Sequence, residues 1–111
     1  MTDCIQVLTT APSEEEAARI ARALVEGRLA ACVQVLGPIA STYRWQGAIE
    51  TSQEWLCTAK TAKGLYPEVE QAIRQAHSYQ VPEILAIEVT AGSADYLAWL
   101  AAEIKSSPRS Q

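Results

Sequence analysis

The sequence predicts an α+β domain, a ferredoxin-like βαββαβ sandwich with an extra C-terminal helix and a long hairpin between its second and third strands. Strand-like alternation and helical periodicity follow one another in that order along the chain. With right-handed crossovers, this order gives four antiparallel strands with two helices on one face. The 111 residues are enough for one domain. We therefore assign residues 1–105 to a single domain and residues 106–111 to a polar C-terminal tail.

The first part of the domain is predicted to be a strand followed by a helix. Residues 4–10 alternate apolar and polar side chains, as a half-buried strand does. The helix begins after Pro12 with a capping box, in which Ser13 accepts a hydrogen bond from a first-turn amide and Glu16 reaches back to the helix start. Apolar positions then repeat at helical spacing to about Gly27, which we expect in the left-handed C-terminal position.

The middle of the chain is predicted to form a long β-hairpin. Leu29–Leu36 is apolar enough for a central strand, and after a Gly-Pro interruption the strand continues to Trp45. The chain turns at a Gln-Gly pair and returns in alternation from Ala48 to about Thr61. The 13 residues from Ala48 to Lys60 would span about 43 Å, whereas a 100-residue domain has a radius of gyration of about 13 Å. The hairpin should overhang its own core unless bulges divide it into two ordinary strands.

An overhanging hairpin predicts a homo-oligomer. Its arms carry Tyr43, Trp45 and Trp55, and unpaired strand edges aggregate unless something covers them. Another copy of the chain is the simplest cover. We therefore expect the hairpins to pack on neighbouring subunits.

The last part of the domain is predicted to be a helix, a strand and a third helix. Residues 65–76 carry an apolar helical stripe. Pro82 then stops the helix and requires an extended entry into the strand Ile84–Thr90. Ser93 is placed to cap the third helix.

Composition disfavours several classes of function. A net charge of −4 and a pI near 4.9 disfavour a nucleic-acid partner, which is bound through clustered Lys and Arg. No apolar run approaches the roughly 18 residues that a membrane helix needs, and the N-terminus lacks a signal segment, so we expect a cytoplasmic protein with no membrane partner. Cys4, Cys32 and Cys57 have no CxxC spacing, which indicates free thiols.

The segment from His77 to Leu85 is the best candidate for a functional site. It combines the only histidine, a tyrosine and a carboxylate on a corner that Pro82 makes rigid. Loops held by a rigid scaffold often carry binding residues, so His77, Tyr79 and Glu83 are candidates. The structural alternative is that His77 favours the dipole at a helix end, Tyr79 fills a corner of the core and Glu83 is solvated.

Several motifs in a fixed order resemble the CutA family of divalent-cation tolerance proteins. They are Leu8–Pro12, Leu29–Val33, Tyr43–Gly47, Lys60-Thr61, His77–Glu83 and Asp95–Trp99. The resemblance extends from about residue 4 to residue 105. It implies a ferredoxin-like subunit in a homotrimer similar to the PII signalling proteins. It also implies a role in the response to metal ions, with copper binding or PII-like binding of a small molecule as alternative activities.

The resemblance further implies where a metal ion would bind. Copper ligation in the family uses a first-strand cysteine and two adjacent histidines, and the matching positions here are Thr9, Ala76 and His77. Of these only His77 is a good ligand, which makes it the candidate for Cu(II) or another divalent cation. No cofactor is required.

The alternative site is a small-molecule cleft between subunits. Lys60 offers a point charge to an anionic group there. The predicted lining consists of polar and aromatic side chains: Lys60, His77, Tyr79, Glu83, Tyr43, Trp45 and Trp99. Because no Gly-rich phosphate loop, nucleophile elbow or metalloprotease helix accompanies them, we expect binding without catalysis. A purely structural role, in which the trimer organises a partner, is a further alternative.

Overall fold

The structure, a computed structural model, describes residues 2–106 of the chain. The predicted tail lies outside the described residues except for Ser106. The strands are β1 (Cys4–Ala11), β2 (Cys32–Trp45), β3 (Ala48–Ala62) and β4 (Ile84–Glu88). The helices are α1 (Glu14–Glu26), α2 (Tyr66–Ala76) and α3 (Ala94–Glu103), and a short 3-10 helix (Lys63–Leu65) precedes α2.

The four strands form one antiparallel sheet in the order β2-β3-β1-β4. This arrangement confirms the predicted α+β, ferredoxin-like fold. Helices α1 and α2 cover one face, where Ile20 and Leu24 of α1 meet Val69 and Ile73 of α2 in a buried core. Helix α3 covers one end of the opposite face, and a cavity of about 240 Å³ lies between it and the sheet. We call that opposite side the open sheet face.

The prediction that the second strand is central in the sheet is wrong. β2 begins at Cys32, three residues later than predicted, and lies at an edge. Its apolar residues are partly uncovered in the single chain, with Val35 39% and Leu36 64% exposed. The crossover connections decide a strand's place in the sheet, so apolar composition alone could not determine it.

The hairpin does overhang the core, as predicted from its length. β1 ends opposite Trp55, and the part of β3 nearer the tip pairs only with β2. The domain is accordingly elongated, with extents of 46 × 26 × 23 Å. A bulge between Leu36 and Ile39 shifts the register without ending the strand. At the tip Gln46 and Gly47 have φ of 50° and 83°, as a tight hairpin turn requires.

The end of α1 differs by one residue from the prediction. Gly27 has φ of −79°, and the left-handed residue is Arg28, with φ of 57°. The Arg28 amide donates to Val25 and the Leu29 amide donates to Leu24, which is the Schellman pattern shifted one residue along the chain. Arg28 also donates from Nη2 to the Ala102 carbonyl, 3.0 Å away, and so connects this turn to α3.

The helices of the described chain are short. None within residues 2–106 is long and apolar enough to cross a membrane.

Candidate functional site

The candidate site is built around His77, which follows the last residue of α2. We call residues 77–82 the His77 corner. Nε2 of His77 lies 2.6 Å from the carbonyl oxygen of Thr10. Because a carbonyl only accepts, Nε2 carries a proton and donates it. Nδ1 accepts from the Tyr79 amide at 3.2 Å, and the side chain is 0% exposed. Both ring nitrogens are therefore engaged within the subunit.

Glu16 of α1 holds the same corner from the other side. Its Oε2 accepts from the backbone nitrogen of Ser78 at 2.9 Å and from Ser78 Oγ at 3.0 Å. The same oxygen lies 3.3 Å from Nδ1 of His77, and Arg19 Nη2 lies 3.7 Å from Oε1. Glu16 is only 6% exposed, so the two Ser78 donors replace the water that a carboxylate requires.

This use of Glu16 corrects half of the predicted capping box. Ser13 Oγ does accept from the Glu16 amide at 3.1 Å. The Glu16 carboxylate binds Ser78 instead of reaching back to the helix start. The reason is tertiary: the corner brings two Ser78 donors to a buried carboxylate, and a capping box offers only one.

Tyr79 joins the corner to β3. Its hydroxyl donates to Oε2 of Glu54 at 2.9 Å, and Glu54 is 7% exposed. Burial, followed by the hydrogen bond to Glu54, raises the pKa of the Tyr79 phenol far above its usual range, so the hydroxyl remains a donor. The Tyr79 ring packs on the His77 ring, with centroids 4.8 Å apart.

The other predicted site residues lie apart from this cluster within the subunit. Glu83 directly follows the corner in the chain and is exposed. Lys60 faces the open sheet face, paired with Gln6, and hydrogen-bonds Gln34. Gln6 is four residues along β1 from Thr10, so Lys60 belongs to a different part of the sheet.

Two of the three predicted aromatic walls lie apart from the cluster, whereas Tyr43 is near enough to Tyr79 to help raise the pKa of its phenol. Tyr43 and Trp45 lie on the hairpin, 40% and 49% exposed. Trp99 lies on α3, where its ring packs on Tyr96 with centroids 5.5 Å apart. A single subunit therefore brings His77 and Tyr79 together with Tyr43 nearby, and it does not bring all seven residues into one site.

The polar side chains of this cluster already have hydrogen-bond partners within the subunit. In the described part of the chain, no three His, Cys, Asp or Glu side chains lie close enough to hold a metal ion. The positions that matched the family's copper ligands do not form a ligand set, since Thr9 and Ala76 supply no imidazole or thiolate. Thr9 is 1% exposed, and its hydroxyl has no hydrogen-bond partner among residues 2–106. A metal ion could reach His77 only by replacing one of the ring's two hydrogen bonds.

Sequence reasoning missed Glu16 and Glu54 as members of the site. Glu16 had a local explanation in the capping box, and Glu54 is one of two acidic residues in an alternating strand. The contacts that reveal them join distant parts of the chain. Nothing in the spacing of the sequence marked either residue as a partner of this corner.

Comparison with known proteins gives consistent results. A family model described as "CutA1 divalent ion tolerance protein" matches residues 5–103. The "Divalent-cation tolerance protein CutA" of Thermus thermophilus is 47% identical over 94 residues, covering 85% of this chain and 91% of that protein. "Protein CutA" of Homo sapiens is 44% identical over 91 residues, 82% of this chain, which spans only 51% of the human protein.

Solved structures show the same similarity in three dimensions. CutA from Xylella fastidiosa has a TM-score of 0.91 and 39% identity, covering 94% of this chain and 100% of that one. A structure described as the periplasmic divalent cation tolerance protein CutA from Archaeoglobus fulgidus has a TM-score of 0.89 and 38% identity, covering 92% and 99%.

Proposed function

We propose, from the premise that this chain belongs to the CutA1 family of divalent ion tolerance proteins, that it acts by binding, without catalysis, in the cellular response to divalent cations. The family match over residues 5–103 is the observation that carries this proposal. We further propose that the working form is a homotrimer in the cytoplasm. The Archaeoglobus fulgidus relative is named periplasmic, so the compartment needs its own test by cell fractionation.

The overhanging hairpin supports the homotrimer. On the tip side of Trp55 the hairpin consists of β2 and β3 alone, and an isolated pair of strands is marginally stable in water. Trp45 and Ile49 near its tip are 49% and 68% exposed. Packing on a second copy would bury these side chains and cover the free strand edges.

The open sheet face supports it independently. Leu36, Leu85 and Ile87 on this face are 64%, 55% and 52% exposed. By register Leu36 adjoins Leu56, and Leu85 adjoins Leu8, so the apolar side chains are contiguous. Apolar surface of this kind marks an interaction site. Because the hairpin and this face are both uncovered, a second copy can use one to cover the other.

We propose that the protein does not catalyse a reaction, because the polar groups of the His77 corner already have hydrogen-bond partners. A general base needs a nitrogen or oxygen free to take a proton from a substrate. In this corner the two ring nitrogens of His77 hydrogen-bond Thr10 and Tyr79, and the Glu16 carboxylate accepts hydrogen bonds from Ser78. These groups are arranged to hold one another.

A second candidate function is PII-like binding of a small molecule in clefts between subunits, with no dedicated copper site. The engagement of both His77 nitrogens favours it over copper ligation at His77. Lys60 and Glu83, which the subunit leaves outside the corner, would then face the ligand together with aromatic walls from a neighbour.

Native mass spectrometry tests these proposals. The purified protein is measured alone and with a small excess of Cu(II), beside His77→Ala and the control Lys60→Ala. We expect a trimer in every case. Three copper ions per trimer that are lost only in His77→Ala would favour copper ligation. Copper binding that is unaffected by His77→Ala would favour the small-molecule cleft. A monomeric mass would contradict the homotrimer.

A further inference from the structure

The His77 corner meets the hairpin at the point where the sheet narrows. The last β1 partner of β3 is Ala11, opposite Trp55. One residue nearer the tip, Glu54 pairs only with Ile39 of β2. Tyr79 donates its hydroxyl to this Glu54 at 2.9 Å. The contact therefore lies where β1 stops supporting the ribbon of residues 39–54.

The corner presents Tyr79 from a fixed position. Ser78 is held by Glu16 through two hydrogen bonds, and His77 is held by the Thr10 carbonyl. The Tyr79 ring and amide both contact His77. The position of the Tyr79 hydroxyl is thus set by α1 and β1, which belong to the rigid core.

The bond from Tyr79 differs in kind from the hydrogen bonds within the ribbon. Thr42 bonds Thr51 at 3.0 Å, and Tyr43 bonds Ser52 at 3.2 Å, but these pairs are exposed and join the two arms to each other. Within residues 2–106, Tyr79–Glu54 is the one side-chain hydrogen bond that joins the ribbon to another element. Its acceptor is a buried carboxylate, which makes the bond stronger than a neutral one.

We propose that the Tyr79–Glu54 hydrogen bond is a latch that fixes the direction of the hairpin relative to the core. Packing at the His77 corner then decides which hairpin surface is presented to a second copy. This last step rests on the proposed homotrimer, whereas the latch itself acts within one subunit. Any ligand that moves the corner would act on the hairpin through this bond.

Amide hydrogen exchange on the full chain tests the latch. Tyr79→Phe removes the hydroxyl, and Tyr43→Phe removes the same group from a ribbon bond as the matched control. We expect Tyr79→Phe to accelerate exchange of the amides of residues 39–54 by about tenfold or more relative to β1, since a bond to a charged acceptor is lost. Tyr43→Phe should accelerate them less than about threefold, the effect of an exposed neutral bond.

Other outcomes would overturn the proposal. Unchanged ribbon exchange in Tyr79→Phe, equal effects of the two variants, or equal acceleration throughout β1 and α2 would each do so. If Tyr79→Phe does not fold, Glu54→Gln provides the test, because glutamine keeps a hydrogen-bond acceptor but removes the negative charge. It should accelerate the same amides by a smaller factor, and no local acceleration would reject the latch. Native mass measured in parallel separates a failed homotrimer from a failed latch.

Discussion

The carboxylate of Glu16 accepts both hydrogen bonds that Ser78 can donate, at 2.9 Å from the backbone nitrogen and 3.0 Å from Oγ. Glu16 is the third residue of α1, and Ser78 is the second residue past the end of α2. The contact joins the two helices that cover the sheet and fixes the His77 corner between them. Because Glu16 is 6% exposed, its carboxylate has little water as an alternative to these two donors.

The first prediction concerns this contact. Glu16→Ala should lower the free energy of unfolding by about 1.5–3 kcal/mol, because it removes the charged acceptor of both Ser78 hydrogen bonds. Urea denaturation measures the change. Glu15→Ala, on the exposed side of the same helical turn, is the control and should leave the unfolding midpoint near that of the wild type. Equal losses in both variants would show that the corner contact contributes nothing specific.

The second prediction concerns the bulge in β2. A Cβ atom on Gly37 would lie 2.5 Å from Cδ1 of Trp55, which is closer than any real contact. Gly37→Ala should therefore destabilise the fold by about 1–3 kcal/mol through overpacking. A double-mutant cycle with Trp55→Leu checks the cause: the cost of Gly37→Ala should shrink when the indole is absent. A cost that persists undiminished in Trp55→Leu would assign it to the backbone instead.

The third prediction concerns stability at alkaline pH. Burial raises the pKa of the Cys57 thiol from an ordinary 9.0 to about 11. Between these values the unfolded chain loses a proton that the folded chain keeps, so stability should fall as the pH rises above 9 and through about 11. Cys57→Ala removes this titration. The free energy of unfolding, measured from pH 8 to pH 11, should fall less steeply in Cys57→Ala, and parallel curves would contradict the assignment.

The fourth prediction concerns an ion pair at the end of the sheet. Lys63 Nζ lies 2.6 Å from Glu88 Oε2, and this hydrogen bond and charge lower the pKa of the Glu88 carboxyl. A lowered pKa means that the pair's contribution is present above the ordinary carboxyl pKa and is lost as the pH falls. In Lys63→Gln, a carboxyl NMR titration should show the pKa of Glu88 moved upward. High salt should produce part of the same shift in the wild type, since both groups are exposed.

The fifth prediction concerns the open sheet face. Leu85→Glu places a charge among apolar side chains that we propose a second copy covers, so the trimer should dissociate. Native mass spectrometry and sedimentation give the mass. Val81→Glu is the matched control, because Val81 is 75% exposed in the His77 corner and lies outside the sheet. A trimer that withstands Leu85→Glu would place the subunit interface elsewhere.

Much of the fold could be predicted because local chemistry determines it. The Ser13 cap, the apolar stripe of α2 and the turn at Gln46 and Gly47 each depend on residues close in sequence. The position of β2 at the sheet edge was missed, since composition says how much of a strand is buried and not what buries it. The shift of the left-handed residue from Gly27 to Arg28 was missed because a helix end varies by a residue without altering the pattern.

The site was predicted less completely than the fold. His77 and Tyr79 could be named from the sequence, because Pro82 makes their corner rigid whatever the rest of the chain does. Their roles could not, because those depend on groups far away along the chain.

By itself, then, the sequence determined the order of the elements, the length of the hairpin and the place of the corner, through propensities and spacing that act over a few residues. Only the tertiary structure decided that Glu16 and Glu54 meet this corner and that His77 has no free ring nitrogen. The physical reason is that a buried polar group needs a hydrogen-bond partner, and this partner can come from a distant part of the chain. The spacing of residues in the sequence does not reveal which residue it will be.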